Sequence, residues 1–251
     1  MSTTLIPKSS TPKSSTQRHR QHGKALPIVA VAVLALVAGI FASGQFDSFY
    51  GADKAAATED DKADQASQLA ALQDTLQTSL ALPMDFKRVP EFELLDANSE
   101  AVTQTLFDDK WSMVFFGYTH CPDVCPITLQ VMKNVLEKLS NDGEQTLPQV
   151  VFVSVDPVRD TSEVMKNYIS FFNESFVGVT GDVKKVHDMT RKLGIVASFI
   201  ANESDPDNYI VDHTASLLLI DPQRRLRAKI TPPHEVDTIV ADYLNLIAAP
   251  S

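Results

Sequence analysis

Cysteine is almost absent from this chain. The 251 residues hold two, Cys121 and Cys125, so one disulfide at most can form and no cross-linked scaffold supports the fold. A bridge across so few positions closes a very short loop and adds little through chain entropy. Basic residues are also scarce beyond the first 24 positions. Those positions carry Lys8, Lys13, Arg18, Arg20 and Lys24 and no Asp or Glu, which leaves 17 of the 22 Lys and Arg against all 32 acids. The net charge of −10 therefore becomes −15 beyond residue 24. Phosphates require cations, so a surface this acidic excludes nucleic acid as the natural partner. It reads as a soluble, self-repelling surface. No internal repeat is present, which excludes a stacked-repeat architecture.

One long apolar run is present. Residues 25–42, ALPIVAVAVLALVAGIFA, contain no charge and no strongly polar side chain. At 1.5 Å per residue they cover about 27 Å, close to the hydrocarbon thickness of a bilayer. The positive charges precede the run, and Asp47, Asp53, Glu59, Asp60 and Asp61 follow it. This asymmetry places residues 1–24 in the cytoplasm and the remainder outside, with 25–42 as an uncleaved transmembrane anchor. A secretory signal cleaved near Ala42-Ser43-Gly44 is the competing reading. The acid-free, Ser/Thr/Lys/Arg-rich start also resembles a mitochondrial transit peptide.

Residues 43–84 read as a linker. Leu69, Leu72, Leu76 and Leu80 recur at helical spacing and predict an amphipathic helix over 66–81, ended by Pro83. Residues 85–251, about 165 positions, suffice for one domain with a sizeable core. Strand and helix alternate there. Phe92 to Leu95 and Ala101 to Thr103 predict a hairpin, and Trp111 to Gly117 and Gln149 to Val155 predict buried central strands. Helices are expected over 126–139, 161–172 and 182–193, the last stopped by Gly194. Phe176 to Val179 reads as a short strand, as do 195–200, 209–211, 215–220 and 226–230, and 233–247 forms a closing helix. This order predicts an α/β, thioredoxin-like fold with a central mixed sheet.

The two cysteines stand between a buried strand and a helix, in Cys121-Pro122-Asp123-Val124-Cys125. Pro126 suits the first helical position, which puts Cys125 at the N-cap, where orphan N–H groups favour a thiolate. Four chemistries remain open at this point. A structural disulfide gains little. A dithiol oxidoreductase ordinarily spaces its cysteines by two residues rather than three. Thr119 and Cys121 resemble a peroxidase pair, which needs neither a second cysteine nor a histidine. A metal site needs a third ligand, and His213, just before the apolar run 215–220, supplies one. A thioredoxin-like fold places a cis-proline there, and this sequence has no proline at that place. Two thiolates and an imidazole form a soft set that suits copper, and zinc also accepts it. His120 reads as a loop residue, His187 as surface or core and His234 as structural, while His19 and His22 lie across the membrane.

The run Phe115-Phe116-Gly117-Tyr118-Thr119-His120-Cys121-Pro122-Asp123-Val124-Cys125-Pro126 resembles the signature of the Sco/SenC family of copper proteins. So do Phe152 to Pro157 with Arg159-Asp160-Thr161, Leu193-Gly194, and Asp212-His213-Thr214-Ala215 before Leu219-Ile220-Asp221-Pro222. The likeness spans residues 85–248. It implies a thioredoxin-like fold and one copper ion, Cu(I) or Cu(II), held by Cys121, Cys125 and His213. It implies a metallochaperone that supplies the dinuclear CuA centre of cytochrome c oxidase subunit II, in company with other copper chaperones. Asp212 is implicated in orienting the ligand loop and Asp123 in partner contact or site electrostatics. Asp156-Pro157 and Arg159-Asp160 read as a strand-end turn and a helix cap. A bacterial inner membrane with the domain in the periplasm is the expected location, and the mitochondrial inner membrane is the alternative. Ligand exchange needs no proton-transfer catalyst, so an enzyme is not expected. The rivals are a thiol–disulfide reductase using Cys121 and Cys125 on the partner's cysteines, and a redox or copper sensor.

Overall fold

The computed structural model describes residues 59–201, 205 and 209–249. The anchor expected at 25–42, with the basic segment before it, lies outside the described residues. Among those described, no helix is long and apolar enough to cross a membrane.

The described residues form one compact unit. Its sheet has eight strands: β1 (Ser79–Ala81), β2 (Glu93–Asp96), β3 (Ala101–Thr103), β4 (Ser112–Gly117), β5 (Gln149–Ser154), β6 (Val177–Thr180), β9 (Leu217–Ile220) and β10 (Leu226–Ile230). β7 (Ala197–Ile200) and β8 (Ile210–His213) pair apart from it as a two-stranded ribbon. The helices are α1 (Glu59–Gln73), α2 (Val124–Asn141), α3 (Ser162–Phe172), α4 (Val183–Leu193) and α5 (Val236–Ala248). Across the main sheet the order is β1-β10-β9-β4-β5-β6-β2-β3. β4, β5 and β6 run parallel, while the flanking strands are antiparallel to their neighbours. This is the expected mixed sheet of a thioredoxin-like α/β fold.

The core follows from the central strands. Met113, Val114, Phe115 and Phe116 of β4 and Val151, Phe152 and Val153 of β5 are all fully buried. Each such side chain contributes about 1.5–3 kcal/mol by leaving water. α2 buries Leu129, Met132, Val135 and Leu139 at helical spacing and packs against α5. Thr161 caps α3 and Asp182 caps α4, each by accepting a backbone N–H, and Gly194 ends α4 in the left-handed conformation at φ +78°. The buried apolar core runs from Ala81 to Leu246. A unit with its own complete core folds by itself.

The amphipathic helix expected over 66–81 differs from the one observed. α1 starts at Glu59 and stops at Gln73, and residues 79–81 are an edge strand paired with β10. The cause is tertiary. The fully buried Asp242 on α5 takes the backbone N–H groups of Gln77, Thr78 and Ser79 at 2.7, 3.0 and 2.9 Å. A helix would have directed those donors along its own axis. Ser79 and Ala81 then point inward while Leu80 faces out, a period of two that the leucine spacing concealed. Gln73 continues the ladder, donating to the Ser79 carbonyl at 3.0 Å and accepting from the Ala81 N–H at 2.9 Å.

Asp242→Ala leaves these three backbone donors, the buried Ser79 N–H among them, without their acceptor. The expected loss is about 3 kcal/mol or more of unfolding free energy. A lower urea midpoint with accelerated hydrogen exchange at residues 77–79 is the anticipated result, and an unchanged midpoint contradicts it.

Candidate metal centre

β4 and β5 end together, Gly117 opposite Ser154. The chain leaves β4 at its carboxyl end, the edge where open α/β sheets place their sites. Tyr118 to His120 lead out, and the Cys121 N–H donates to the Tyr118 carbonyl at 3.2 Å. β9 runs antiparallel to β4 with Leu217 opposite Phe115, so residues 213–216 reach the same edge. His213 ends β8, paired with Ala197 of β7.

Among the described residues, Cys121, Cys125 and His213 bring their ligand atoms together, all within 4.8 Å of one another. Both cysteines are free thiols, Cys121 half-buried and Cys125 buried. The Cys125 Sγ lies 3.5 Å from His213 Nε2. With metal bonds of about 2.0–2.3 Å, three donors around a trigonal ion stand about 3.5–4.0 Å apart. Closing on an ion thus requires only small side-chain movements.

The helix starts earlier than the sequence suggests. Asp123 is the N-cap of α2, without a side-chain capping bond, and Val124 is its first residue. Cys125 therefore lies inside the first turn, against the core, and is not at the cap. The thiolate position at the helix end belongs to Cys121. A hydrogen bond from the Cys125 thiol pulls the Cys121 pKa down to about 3; the N–H groups of Asp123 and Cys125 assist, against burial. That same bond, followed by burial, pushes the Cys125 thiol up.

His213 is held on three sides. Its Nδ1 lies 3.2 Å from the Thr214 carbonyl, so Nδ1–H donates there and Nε2 keeps its lone pair for the thiols' side. Phe115 and Tyr118 meet the imidazole in edge-on contacts, with centroids at 6.0 and 5.9 Å. The Tyr118 hydroxyl accepts the Val211 N–H at 3.3 Å, which ties β8 to the cysteine loop. Gly117 leaves room for Cys125, since a Cβ at 117 would lie 2.6 Å from its Sγ and 2.7 Å from Phe152.

Two buried carboxylates stand behind the loop. Asp160 accepts the Thr119 N–H at 3.1 Å, the Thr119 hydroxyl at 2.6 Å and the Ser154 hydroxyl at 2.7 Å. Burial raises its pKa, and the Thr119 and Ser154 bonds oppose that rise. Asp156 pairs with the Arg159 guanidinium and accepts the Tyr209 hydroxyl at 2.7 Å. Arg159 lies over the Tyr209 ring at 3.6 Å and donates to the Tyr209 carbonyl at 3.0 Å. The turn and helix cap expected at this stretch, the cap at Asp160 or Thr161, are both present. The cap is Thr161, and the two aspartates further anchor the cysteine loop and the start of β8. Their sequence signals were two acids at the end of an apolar strand and their place in the family-like stretch.

The other candidates lie apart from the cluster. Asp123 is exposed at the helix start, and Asp212 is exposed on β8, in alternation with Val211 and His213. His120 has its Nδ1 3.0 Å from the Thr119 hydroxyl and 3.8 Å from Asp160. His187 lies beside Phe199, and His234 is 3.5 Å from the Thr128 hydroxyl. His19 and His22 are outside the described residues.

A family model described as SCO1/SenC matches residues 83–248. An SCO2-like protein of Rickettsia prowazekii is 37% identical over 53% of this chain and 64% of its own length. The chain thus spans less than two thirds of that relative. Among solved structures, Bradyrhizobium japonicum ScoI with copper bound is 33% identical, with a TM-score of 0.57 over 65% of this chain and 100% of its own. Yeast Sco1 with copper bound is 27% identical, with a TM-score of 0.61 over 66% of this chain and 91% of its own.

The split between the thiols sets a pH profile. A free thiol loses reactivity about tenfold per pH unit below its pKa. Cys121 stays ionised down to about pH 3, so its alkylation by iodoacetamide should be nearly flat from pH 8 to pH 5. Cys125 should resist throughout. Peptide mapping after short exposures reads both, and a tenfold fall per unit at Cys121 contradicts the assignment.

Proposed function

The chain belongs to the SCO1/SenC family, and on that premise we propose that it is a copper carrier in cytochrome c oxidase assembly, delivering the ion to the CuA centre of subunit II. The observation that carries this reading is the convergence of two free thiols and one imidazole at the edge of the sheet. Copper is the cargo. One ion sits on Cys121 Sγ, Cys125 Sγ and His213 Nε2, a soft set suited to Cu(I) and able to hold Cu(II). A partner's cysteine and histidine side chains then replace these donors one at a time. The half-exposed Cys121 is the first to exchange, and the buried Cys125 the last. Asp123 and Asp212, both exposed, meet the partner at the rim. Residues 25–42 tether the carrier to the membrane that holds the oxidase, with the domain on the periplasmic side in a bacterium, or facing the intermembrane space in a mitochondrion.

The opposite shifts of the two thiols favour a second reading, thiol–disulfide exchange. The Cys121 thiolate attacks a disulfide between the partner's cysteines and releases one as thiolate. The Cys125 thiol then loses its proton and resolves the mixed disulfide. The partner gains two electrons as a dithiol, and Cys121 and Cys125 leave as a disulfide, which an external dithiol reduces.

Copper titration of the reduced domain against a competing chelator separates the readings. Wild type should bind one ion, and His213→Ala should weaken binding by more than about 100-fold, since even an outer partner of a ligand is worth 10- to 100-fold. Dithiol exchange should persist in that variant. Full oxidase assembly with His213→Ala would sink the carrier reading. Gly117→Ala should also lower copper affinity, because the added methyl displaces Cys125 Sγ. An unchanged affinity would remove the role given to Gly117.

A further inference from the structure

A cavity of about 310 Å³ opens between α1 and the β1–β10 edge of the sheet. It shares no lining residue with the metal centre. Leu69 and Leu72 of α1, with Leu82 and Met84 beyond β1, supply apolar walls, all of them half-buried. Arg227 lines the cavity from β10 and is 4% exposed. The β10 register passes from Leu226 opposite Ile220 to Ala228 opposite Leu219, so Arg227 is the bulged residue. Bulges re-aim a side chain, and this one directs a cation toward leucines.

The guanidinium is poorly compensated. Its Nε is buried without a hydrogen-bond partner. Asp221 is 3.8 Å from Nη1, beyond hydrogen-bond range. That carboxylate is already engaged by Arg225 Nε at 2.6 Å and by the N–H groups of Gln223 and Arg225 at 2.9 and 2.8 Å. Two guanidiniums share one carboxylate, which leaves one positive charge over. The Trp111 ring, 5.9 Å from the Arg227 guanidinium, covers it on one side. Burial lowers the pKa of Arg227, and Asp221 opposes this. Buried charges are expensive unless paired, and an arginine fork pairs best with a carboxylate or phosphate.

We propose that this cavity binds an aliphatic monocarboxylate of about eight carbons, its carboxylate on Arg227 and its chain along the leucines. At about 30 Å³ per water-sized group the space takes about ten non-hydrogen atoms, the size of octanoate and too small for a two-chain lipid. Lys62, which pairs with Glu59 at 3.5 Å, and the exposed Asp85 also line the opening. The acid there disfavours a multiply charged anion.

Calorimetric titration of residues 57–251 with octanoate tests this. One octanoate per domain is expected, with weaker binding of 1-octanol, which lacks the charge, and of acetate, which lacks the chain. Arg227→Met should weaken octanoate about 10- to 100-fold, the value of a charged hydrogen bond. It should not lower the melting temperature, because an apolar side chain replaces an uncompensated buried charge. Leu72→Gln, in the wall from α1, should weaken octanoate while leaving acetate unchanged. Absence of saturable octanoate binding, or equal binding by wild type and Arg227→Met, overturns the proposal. A fall in melting temperature for Arg227→Met with no octanoate bound to wild type makes Arg227 a structural partner of Trp111 and Asp221, and also overturns it.

Discussion

The cysteine loop depends on one buried carboxylate. Asp160 is fully buried and receives the N–H and hydroxyl of Thr119 together with the hydroxyl of Ser154. It thereby joins the segment leaving β4 to the end of β5, while its carbonyl accepts the hydroxyl of Thr180 at the end of β6. Three parallel strands are thus tied at one edge. Burying a carboxylate is unfavourable unless donors replace its water, and Thr119, two residues before Cys121, supplies two of those donors. The loop position and the satisfaction of this charge are therefore one constraint. Moving Cys121 outward would pull Thr119 away and cost Asp160 two of its donors.

A second buried acid does the same for the histidine side. Asp156, Arg159 and Tyr209 form a stack of charge and ring that leads into β8. The ribbon of β7 and β8 stands outside the main sheet, so it needs such ties to keep His213 at a fixed distance from the thiols. Tyr118 completes the link, with its ring against His213 and its hydroxyl on the Val211 N–H. The two thiols and the imidazole are held from behind by hydrogen-bonded polar groups. Of the two thiols, Cys121 is half-buried and Cys125 is buried.

Much of this was legible along the chain. The apolar run of β4, the helix after the cysteines and the stop at Gly194 follow from local pattern, because burial and left-handed backbone leave direct marks on composition. The pairing of two cysteines with His213 was legible as chemistry, since few residue types make soft ligands. The segment at 74–81 was not. Its leucines read as a helix, and the carboxylate that turns it into a strand belongs to Asp242, more than 160 positions away. α2 starts two residues before the position that Pro126 suggests. Pro126 tolerates the first turn of a helix generally, so its position alone does not fix where the helix begins.

The amino-acid sequence by itself determined the acidity of the surface, the strand and helix alternation, the family and the choice of two cysteines and one histidine as the candidate site, because each is a property of residue type and spacing. The tertiary structure decided which thiol carries the charge, which acids anchor the loop and where the uncompensated Arg227 points. Those outcomes depend on burial and on hydrogen bonds between distant segments. A string of residues does not record which donors reach Cys121 or which side chain a bulge in β10 turns toward a cavity.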